Sequence, residues 1–543
     1  MAVPTSYPGV YIQELPSLAH SIQPAPTSIA VFIGYTHPFL TKKTLTAVPL
    51  FSFADYQSNF GGFFSSLSQP DYVGHAVFQF FANQGPMCYV VGLPAAEYYD
   101  FSQTPPGQGA VAAASVDITC VGGDLTFTAL QPVGVPATPP ATGDVGIAMT
   151  VALSNFQSST PTVPPAPPGP LDLADIVVSY GSTAETYRKV KISNITTVLA
   201  NSSLVSVTPS STAPTAYVTA AATPAPYPLV YSTVPNASWT VINPGDFGQV
   251  FEDYASLDKV PIFNLLAVPG ISDPAVASEA VAFCERKRAF YIADTPSSAS
   301  TGWDVNSVVG DLAGGSEPSP APPVSVNAAV YYPWLATTDP VTQQPELAPP
   351  SGFVAGMYGQ TDAAQGVWQS PAGIGTALNG TTGVDVNGLM TDPQQGILNE
   401  HALNAIRQFP SVGTVVFGAR TTAGADANTA QQQWKYVAVR RTALFIEQTL
   451  YANLTWAVFQ PNSTPLWNAL TQTVNAFMLS LFRQGAFAGT KPSESFIVQC
   501  DSTTTTPTDV ANGVVNVLVG FAPLIPAEFV VVKIAQLAGQ AQS

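Results

Sequence analysis

Charge is what this chain has least of. Asp, Glu, Lys and Arg make up 9% of its 543 residues, against roughly 25% in an ordinary soluble protein. The 17 Lys and Arg are outnumbered by 34 Asp and Glu, for a net charge of −17. Sequence-independent nucleic-acid binding needs clustered cations that release counterions, so this balance excludes it. It also argues against docking on anionic membranes. Long apolar runs are missing too. The longest, such as Gly513 to Pro526, are interrupted and fall short of the ~20 residues of a spanning helix, so no membrane insertion is expected. The opening Met1-Ala2-Val3-Pro4 has no basic stretch followed by an apolar one, and hence no secretory signal. Cysteine is scarce and scattered at Cys88, Cys120, Cys284 and Cys500. That is neither a zinc spacing nor a disulfide framework. Reduced, mostly buried thiols made in a cytoplasm are expected.

Catalytic signatures are equally sparse. There is no phosphate-cradling glycine loop, paired-histidine zinc helix or nucleophile elbow. The histidines are His20, His37, His75 and His401. Neither His75 nor His401 has a second His or Cys at ligand spacing, so both read as surface or packing residues. Asp55, Asp71, Asp100, Asp253 and Asp258 stand apart from one another, which leaves no general acid–base pair to assign. No catalytic residue, metal ligand or cofactor is expected, and the chain does not read as an enzyme.

Apolar residues, at 46%, suffice for a sizeable core. The length, several times the ~150-residue domain prior, implies several domains. With so little charge to keep a monomer apart from its copies, the composition suits a subunit that hides surface in an assembly. Residues 101–245 hold 19 prolines and nine charged residues, and read as an inserted module of short strands and turns. Its basic cluster Arg188-Lys189-Val190-Lys191 reads as a solvated strand face.

Outside that module the elements are clearer. Asp71 caps a helix with the apolar face Val73, Ala76, Val77, Phe80 and Phe81, ended by Gly85. Cys88–Val91 and Val260–Val268 read as buried strands. Asp273-Pro274 starts a helix running to Arg286-Lys287-Arg288, followed by a strand at Phe290–Ala293, which gives a β-α-β unit. Tyr436, Val439, Ala443, Ile446 and Leu450 share a helix face, and Tyr436–Val439 could begin as a strand. Ser463-Thr464-Pro465 starts a helix with the stripe Trp467, Leu470, Val474, Phe477 and Leu481, stopped by Gly485. Glu447, seven residues after Arg440, shares its face without being a direct neighbour. A structural ion pair to another segment is the expectation there. Gly513–Val519 and Glu528–Ile534 read as strands. The fold class is mixed α/β (α+β), multi-domain, with a β-rich insertion.

The two ends suggest a use. Tyr7 to Leu15 is a turn and an extended segment without a nearby partner strand, and Ala527 to Ile534 is a strand almost at the terminus. Such arms can add strands to the sheets of neighbouring subunits, or pair within their own subunit; the residues alone leave both open.

The arm Tyr7-Pro8-Gly9-Val10-Tyr11-Ile12 resembles the opening of contractile tail sheath proteins, found in contractile-tailed phages and phage-tail-like injection machines. The resemblance continues through Phe51-Ser52-Phe53-Ala54-Asp55-Tyr56, Phe60-Gly61-Gly62, Phe80-Phe81-Ala82-Asn83 and Leu266-Ala267-Val268-Pro269-Gly270. It is densest in the last 200 residues: Pro349-Pro350-Ser351-Gly352, Gly366-Val367-Trp368, Asn404-Ala405-Ile406-Arg407, Gly418-Ala419-Arg420-Thr421, Val439-Arg440-Arg441, Phe445-Ile446-Glu447, Trp456-Ala457-Val458-Phe459, Cys500-Asp501 and Pro526-Ala527-Glu528-Phe529. Residues 101–245 lie outside it. The family expectation is a homo-oligomer of stacked rings or a helix around an inner tube protein, with baseplate and terminator proteins at its ends, in a phage or phage-like particle assembled in the producer's cytoplasm. Contraction of that assembly drives the tube through a target envelope. The resemblance implies inter-subunit strands at Val10, Tyr11, Ile12, Gln13 and Glu14, and at Glu528, Phe529, Val530, Val531, Val532, Lys533 and Ile534. It makes Arg407, Arg420, Arg440, Arg441, Glu447, Trp456 and Trp467 candidates for structural roles in the core. The implied organisation is an arm 1–20, core 21–100, outer insertion 101–245, β-α-β domain 246–340, C-terminal core 341–520 and arm 521–543. Gln13, Gly92, Gln460 and Gln499 stand where relatives often carry charge, so hydrogen bonds and apolar contact are expected to join the subunits. Another structural component of such a particle (capsid, baseplate or spike) is the alternative.

Overall fold

The computed structural model describes residues 21–64, 71–93, 112–136, 144–145, 147–160, 170–210, 212–219, 226–232, 244–341 and 343–532. The chain divides into two compact units. The larger comprises Ser28–Gln360 and Ala372–Gln432; the smaller comprises Met1–Thr27, Thr361–Pro371 and Gln433–Ser543. The expected segment 341–520 is thus shared between them, because strands near residues 403–416 complete the large sheet of the first unit.

That sheet has eight strands: β1 (Ile29–Tyr35), β2 (Ala47–Leu50), β3 (Met87–Leu93), β4 (Leu265–Ala267), β5 (Phe290–Asp294), β6 (Ala328–Tyr332), β7 (Leu403–Phe409) and β8 (Gly413–Val416), in the order β2-β3-β1-β4-β5-β6-β7-β8. The six inner strands pair in parallel, and antiparallel β2 and β8 form the edges. Strands β5 and β6 are buried at every position, as parallel strands covered on both faces are. This explains why they read as continuous apolar runs rather than alternating ones.

The β-α-β unit forms as expected. Asp273 Oδ1 accepts from the amides of Ala275 (2.9 Å) and Val276 (3.3 Å), Pro274 occupies the first turn, and the helix Pro274–Lys287 ends on left-handed Arg288. The strand expected over Val260–Val268 shortens to β4. Pro261 and Pro269 have no amide to donate, and Asn264 spends its backbone amide and side-chain oxygen on Ile29, each at 2.9 Å. The helix Tyr72–Ala82 is capped by Asp71, whose Oδ1 accepts from Gly74 N at 2.8 Å. Its left-handed turn falls on Gln84 rather than Gly85. Gly85 serves by its size, since a Cβ there would lie 2.3 Å from the Phe80 ring.

The described part of 101–245 is β-rich. Antiparallel strands Met149–Gln157, Leu173–Tyr180 and Thr183–Lys191, with Pro226–Pro228 at one edge, form one sheet; Ser115–Cys120, Gly123–Ala129 and Val205–Pro209 form another. One core joins them, including Phe127, Val151, Ile176 and Val178. Leu173–Tyr180 alternates half-buried and buried residues, the period-two signature of a sheet with one covered face. Arg188, Lys189 and Lys191 are exposed. The proline run 161–169 lies outside the described residues.

In the smaller unit the helices Val437–Asn453 and Thr464–Arg483 pack with a hairpin, Phe496–Gln499 against Leu518–Phe521. Phe445, Val474, Phe477, Met478, Leu481 and Phe487 form the core there. Tyr436 is extended and precedes the helix. The strand expected over Gly513–Val519 begins only at Leu518. Gly513, at a φ of 72°, turns the chain after the short helix Pro507–Ala511, and Val515 and Val517 pack on Leu466, Leu470 and Cys500 without a ladder. All four cysteines are free; Cys120 is half-buried and the others are buried.

Candidate assembly elements

The hairpin pairs Phe496 with Phe521 and Gln499 with Leu518. Among the described residues neither strand pairs with a further strand, so each keeps an open edge of backbone donors and acceptors. Ile497 and Leu518 are 54% and 51% exposed. Beyond Pro526 the chain forms no ladder as far as Val532. Phe529, Val530, Val531 and Val532 are 76%, 82%, 78% and 76% exposed. Among the described residues, the strand expected at Glu528–Ile534 therefore forms no ladder over Phe529–Val532. The β-branched run is extended-competent, and none of the described strands pairs with it. Lys533 and Ile534 lie outside the described residues, as do Val10, Tyr11, Ile12, Gln13 and Glu14.

The arginines divide into buried clamps and surface pairs. Arg441 Nη1 and Nη2 donate to Asp362 Oδ1 (2.9 Å) and Oδ2 (2.7 Å), and Nη2 also to Thr27 O at 2.9 Å. The two side chains are 3% and 2% exposed. This fork ties three separate stretches of the smaller unit together with charge-assisted bonds. Arg440 meets Glu447 at 3.2 Å and lies over the Trp434 ring. The expectation that Glu447 pairs with another segment is corrected: two long side chains span the two helical turns between them. In the larger unit the buried Arg420 donates to Asn399 O (2.7 Å) and Asp426 Oδ1 (3.0 Å), while its own amide and carbonyl are held by the Asn404 side chain. Half-buried Arg407 donates to Asp392 Oδ1 (2.6 Å) and Gln395 Oε1 (2.8 Å). Trp467 Nε1 donates to Asn462 Oδ1 at 2.8 Å, and Trp456 packs on the Leu466–Leu470–Cys500 cluster. Spacing could not show Asp362, which is 79 residues from Arg441.

The buried titratable groups serve the backbone. Burial pushes Asp294 up to about 6 against the hydrogen bonds it accepts from Ser351 and Gly270. Burial likewise raises Asp71, the helix cap. His37 is pushed down to about 4 by burial, and its Nδ1 accepts from the amides of Phe39 (3.2 Å) and Leu40 (3.3 Å). The Asp71 and Asp294 carboxylates each accept backbone amides, Asp71 from Phe64 and Gly74 and Asp294 from Gly270 and Ser351.

Comparison with known proteins agrees with this architecture. Residues 429–536, which contain the hairpin, both helices and the exposed run, match the phage tail sheath C-terminal domain family. A protein of Pseudomonas aeruginosa strain UCBPP-PA14, described as a prophage major tail sheath protein, is 27% identical over 284 residues, covering 50% of this chain and 66% of that one. The tail sheath protein of Burkholderia phage BcepMu is 29% identical over 164 residues, covering 30% and 33%. The matched stretch is thus less than two thirds of either relative. A chain of the anti-feeding prophage helical sheath in its contracted state aligns over 98% of this chain and 99% of its own, with a TM-score of 0.56 at 22% identity. One from the PVC extracellular contractile injection system sheath complex, also contracted, covers the same shares with a TM-score of 0.54 at 21% identity. The chain therefore has the fold of contractile sheath proteins, and its residues 429–536 match the phage tail sheath C-terminal domain family.

Proposed function

We propose that this chain is the sheath subunit of a contractile tail or injection machine. It polymerises around an inner tube between baseplate and terminator proteins, and its contraction drives the tube through a target envelope. The observation that carries the reading is the combination of an open-edged hairpin, Phe496–Gln499 with Leu518–Phe521, and an exposed apolar run, Phe529–Val532, without a partner strand among the described residues. Strand addition between copies satisfies both at once. Each main-chain hydrogen bond adds roughly 0.5–1.5 kcal/mol, so a strand of four or five bonds contributes a few kcal/mol per joint before its ordering entropy. Residues 10–14 supply the second donated strand in this reading, and residues 101–245 form the outer decoration. Arg407, Arg420, Arg440, Arg441, Glu447, Trp456 and Trp467 hold each subunit's core rigid while the arms carry the lattice.

Electron microscopy of the purified chain, alone and co-expressed with its inner tube protein, tests the proposal. Hollow cylinders of uniform width are expected. Dispersed subunits under both conditions would overturn it. With so few charges at the joints, the cylinders should persist between about 0.05 and 0.5 M salt, over which the screening length falls severalfold.

A further inference from the structure

His75 lies on the helix Tyr72–Ala82, while Asp339 and Glu346 flank the turn between the paired strands Leu335–Thr338 and Pro345–Ala348. One ligand atom from each of the three falls within 4.8 Å of the others. His75 Nε2 stands 3.5 Å from Glu346 Oε2, too far for a hydrogen bond of useful strength. His75 is only 6% exposed, and its backbone amide donates to Asp71 O at 3.3 Å. The buried Oε2 of Glu346 has no hydrogen-bond partner among the described residues. A buried polar atom left in that condition costs free energy, and here the His75 imidazole stands 3.5 Å from it with a second carboxylate alongside.

We propose that His75, Asp339 and Glu346 form a binding site for one divalent transition metal ion of the zinc class, which staples the helix Tyr72–Ala82 to the hairpin turn. One imidazole nitrogen and two carboxylate oxygens are a donor set such ions accept. Bond lengths of about 2.0–2.2 Å place tetrahedral ligand atoms roughly 3.3–3.6 Å apart, and the His75–Glu346 separation already has that value. The remaining position is left for water or a fourth group. Burial holds the His75 imidazole toward its neutral form, the form that ligates. The ion would satisfy the orphaned Oε2 of Glu346. The site shares no residue with the hairpin and arms on which the sheath reading rests, so the two proposals stand or fall separately.

The test uses the untagged full-length chain, stripped with a chelator and titrated calorimetrically with zinc chloride. One zinc per chain and a raised thermal midpoint are expected, with affinity reduced at least about tenfold in both E346Q and D339N. Cobalt(II) added to the stripped wild type should give the visible band of a nitrogen- and oxygen-ligated ion. This readout needs no variant and stays informative where one misfolds. Zinc that does not bind, or binds equally to the wild type and both variants, overturns the proposal.

Discussion

Strand β5, Phe290–Asp294, and the run Phe529–Val532 are near neighbours in composition and opposites in burial. Every residue of β5 is buried, between β4 and β6. Every residue of the run is more than three-quarters exposed. Burying one such side chain is worth about 1.5–3 kcal/mol, so four left in water forgo several kcal/mol. A soluble monomer gains nothing from that arrangement, whereas an assembly can recover the energy between copies. The difference teaches that an apolar β-branched run states a need for a partner, and only the structure tells whether that partner is on the same chain.

The sharpest way to break the comparison is to alter both regions. The double change Val530→Glu, Val532→Glu should abolish cylinder formation in electron micrographs while leaving the unfolding midpoint of the subunit within a degree or two of wild type. Ile292→Ala in β5 should do the reverse, lowering subunit stability in urea by about 2–5 kcal/mol. If the arm variant unfolds the subunit, the run is part of its own core and the comparison fails.

Within the smaller unit, the Arg441–Asp362 fork behaves like β5 rather than like the arm. Asp362→Ala leaves a buried guanidinium unpaired and should cost about 3–5 kcal/mol in urea unfolding. A loss below 1 kcal/mol would show that water reaches the cation.

How much of this could be read from the residues follows the same divide. Helix caps are local, so Asp71 and Asp273 announced their helices. The motifs that carried the sheath resemblance include positions the backbone constrains: Gly270 takes a φ of 69°, and a Cβ on Gly352 would lie 2.5 Å from Ala76 Cα. Partners distant in sequence were not legible. Asp362 for Arg441, and Asp426 and Asn399 for Arg420, are fixed by tertiary packing. Two strands came out shorter than their apolar runs because Pro261 has no amide and Gly513 turns the chain. The hairpin with open edges was legible only as strand-forming residues. That its edges lack partners is a property of the fold.

Protonation separates buried from exposed groups on a smaller scale. His37 has its Nδ1 committed as an acceptor and a folded pKa of about 4, against 6.5 ordinarily. Below pH 6.5 the unfolded chain takes up a proton that the folded chain refuses. The stability it contributes is therefore present above pH 6.5 and is lost as pH falls toward 4, by about 3 kcal/mol in all. Asp294 acts in the opposite sense: its folded pKa, about 6, exceeds the ordinary 3.8, so its buried charge costs stability above pH 6 and that cost is relieved as pH falls toward 3.8. The clean observable is the difference between wild type and His37→Gln in urea at pH 7.5 and at pH 4.5. That difference should shrink or change sign at the lower pH, and a constant difference would show that the imidazole is solvated.

The smallest effect is expected at Glu447. Its carboxylate meets Arg440 at 3.2 Å, but the two side chains are 42% and 15% exposed. Water competes for the pair, and holding two long side chains in one geometry costs entropy. Arg440 also keeps its place over the Trp434 ring whether or not the carboxylate is charged. Glu447→Gln should therefore change stability by about 0–1 kcal/mol, with the residual loss diminishing further in 0.5 M salt. Set beside Asp362→Ala on the adjacent arginine, it gives two neighbouring cations of one helix that differ chiefly in burial. A loss at Glu447 as large as at Asp362 would mean that burial is not what separates them, and the reading of the exposed arm as an inter-subunit element would lose the physical premise it shares with this pair.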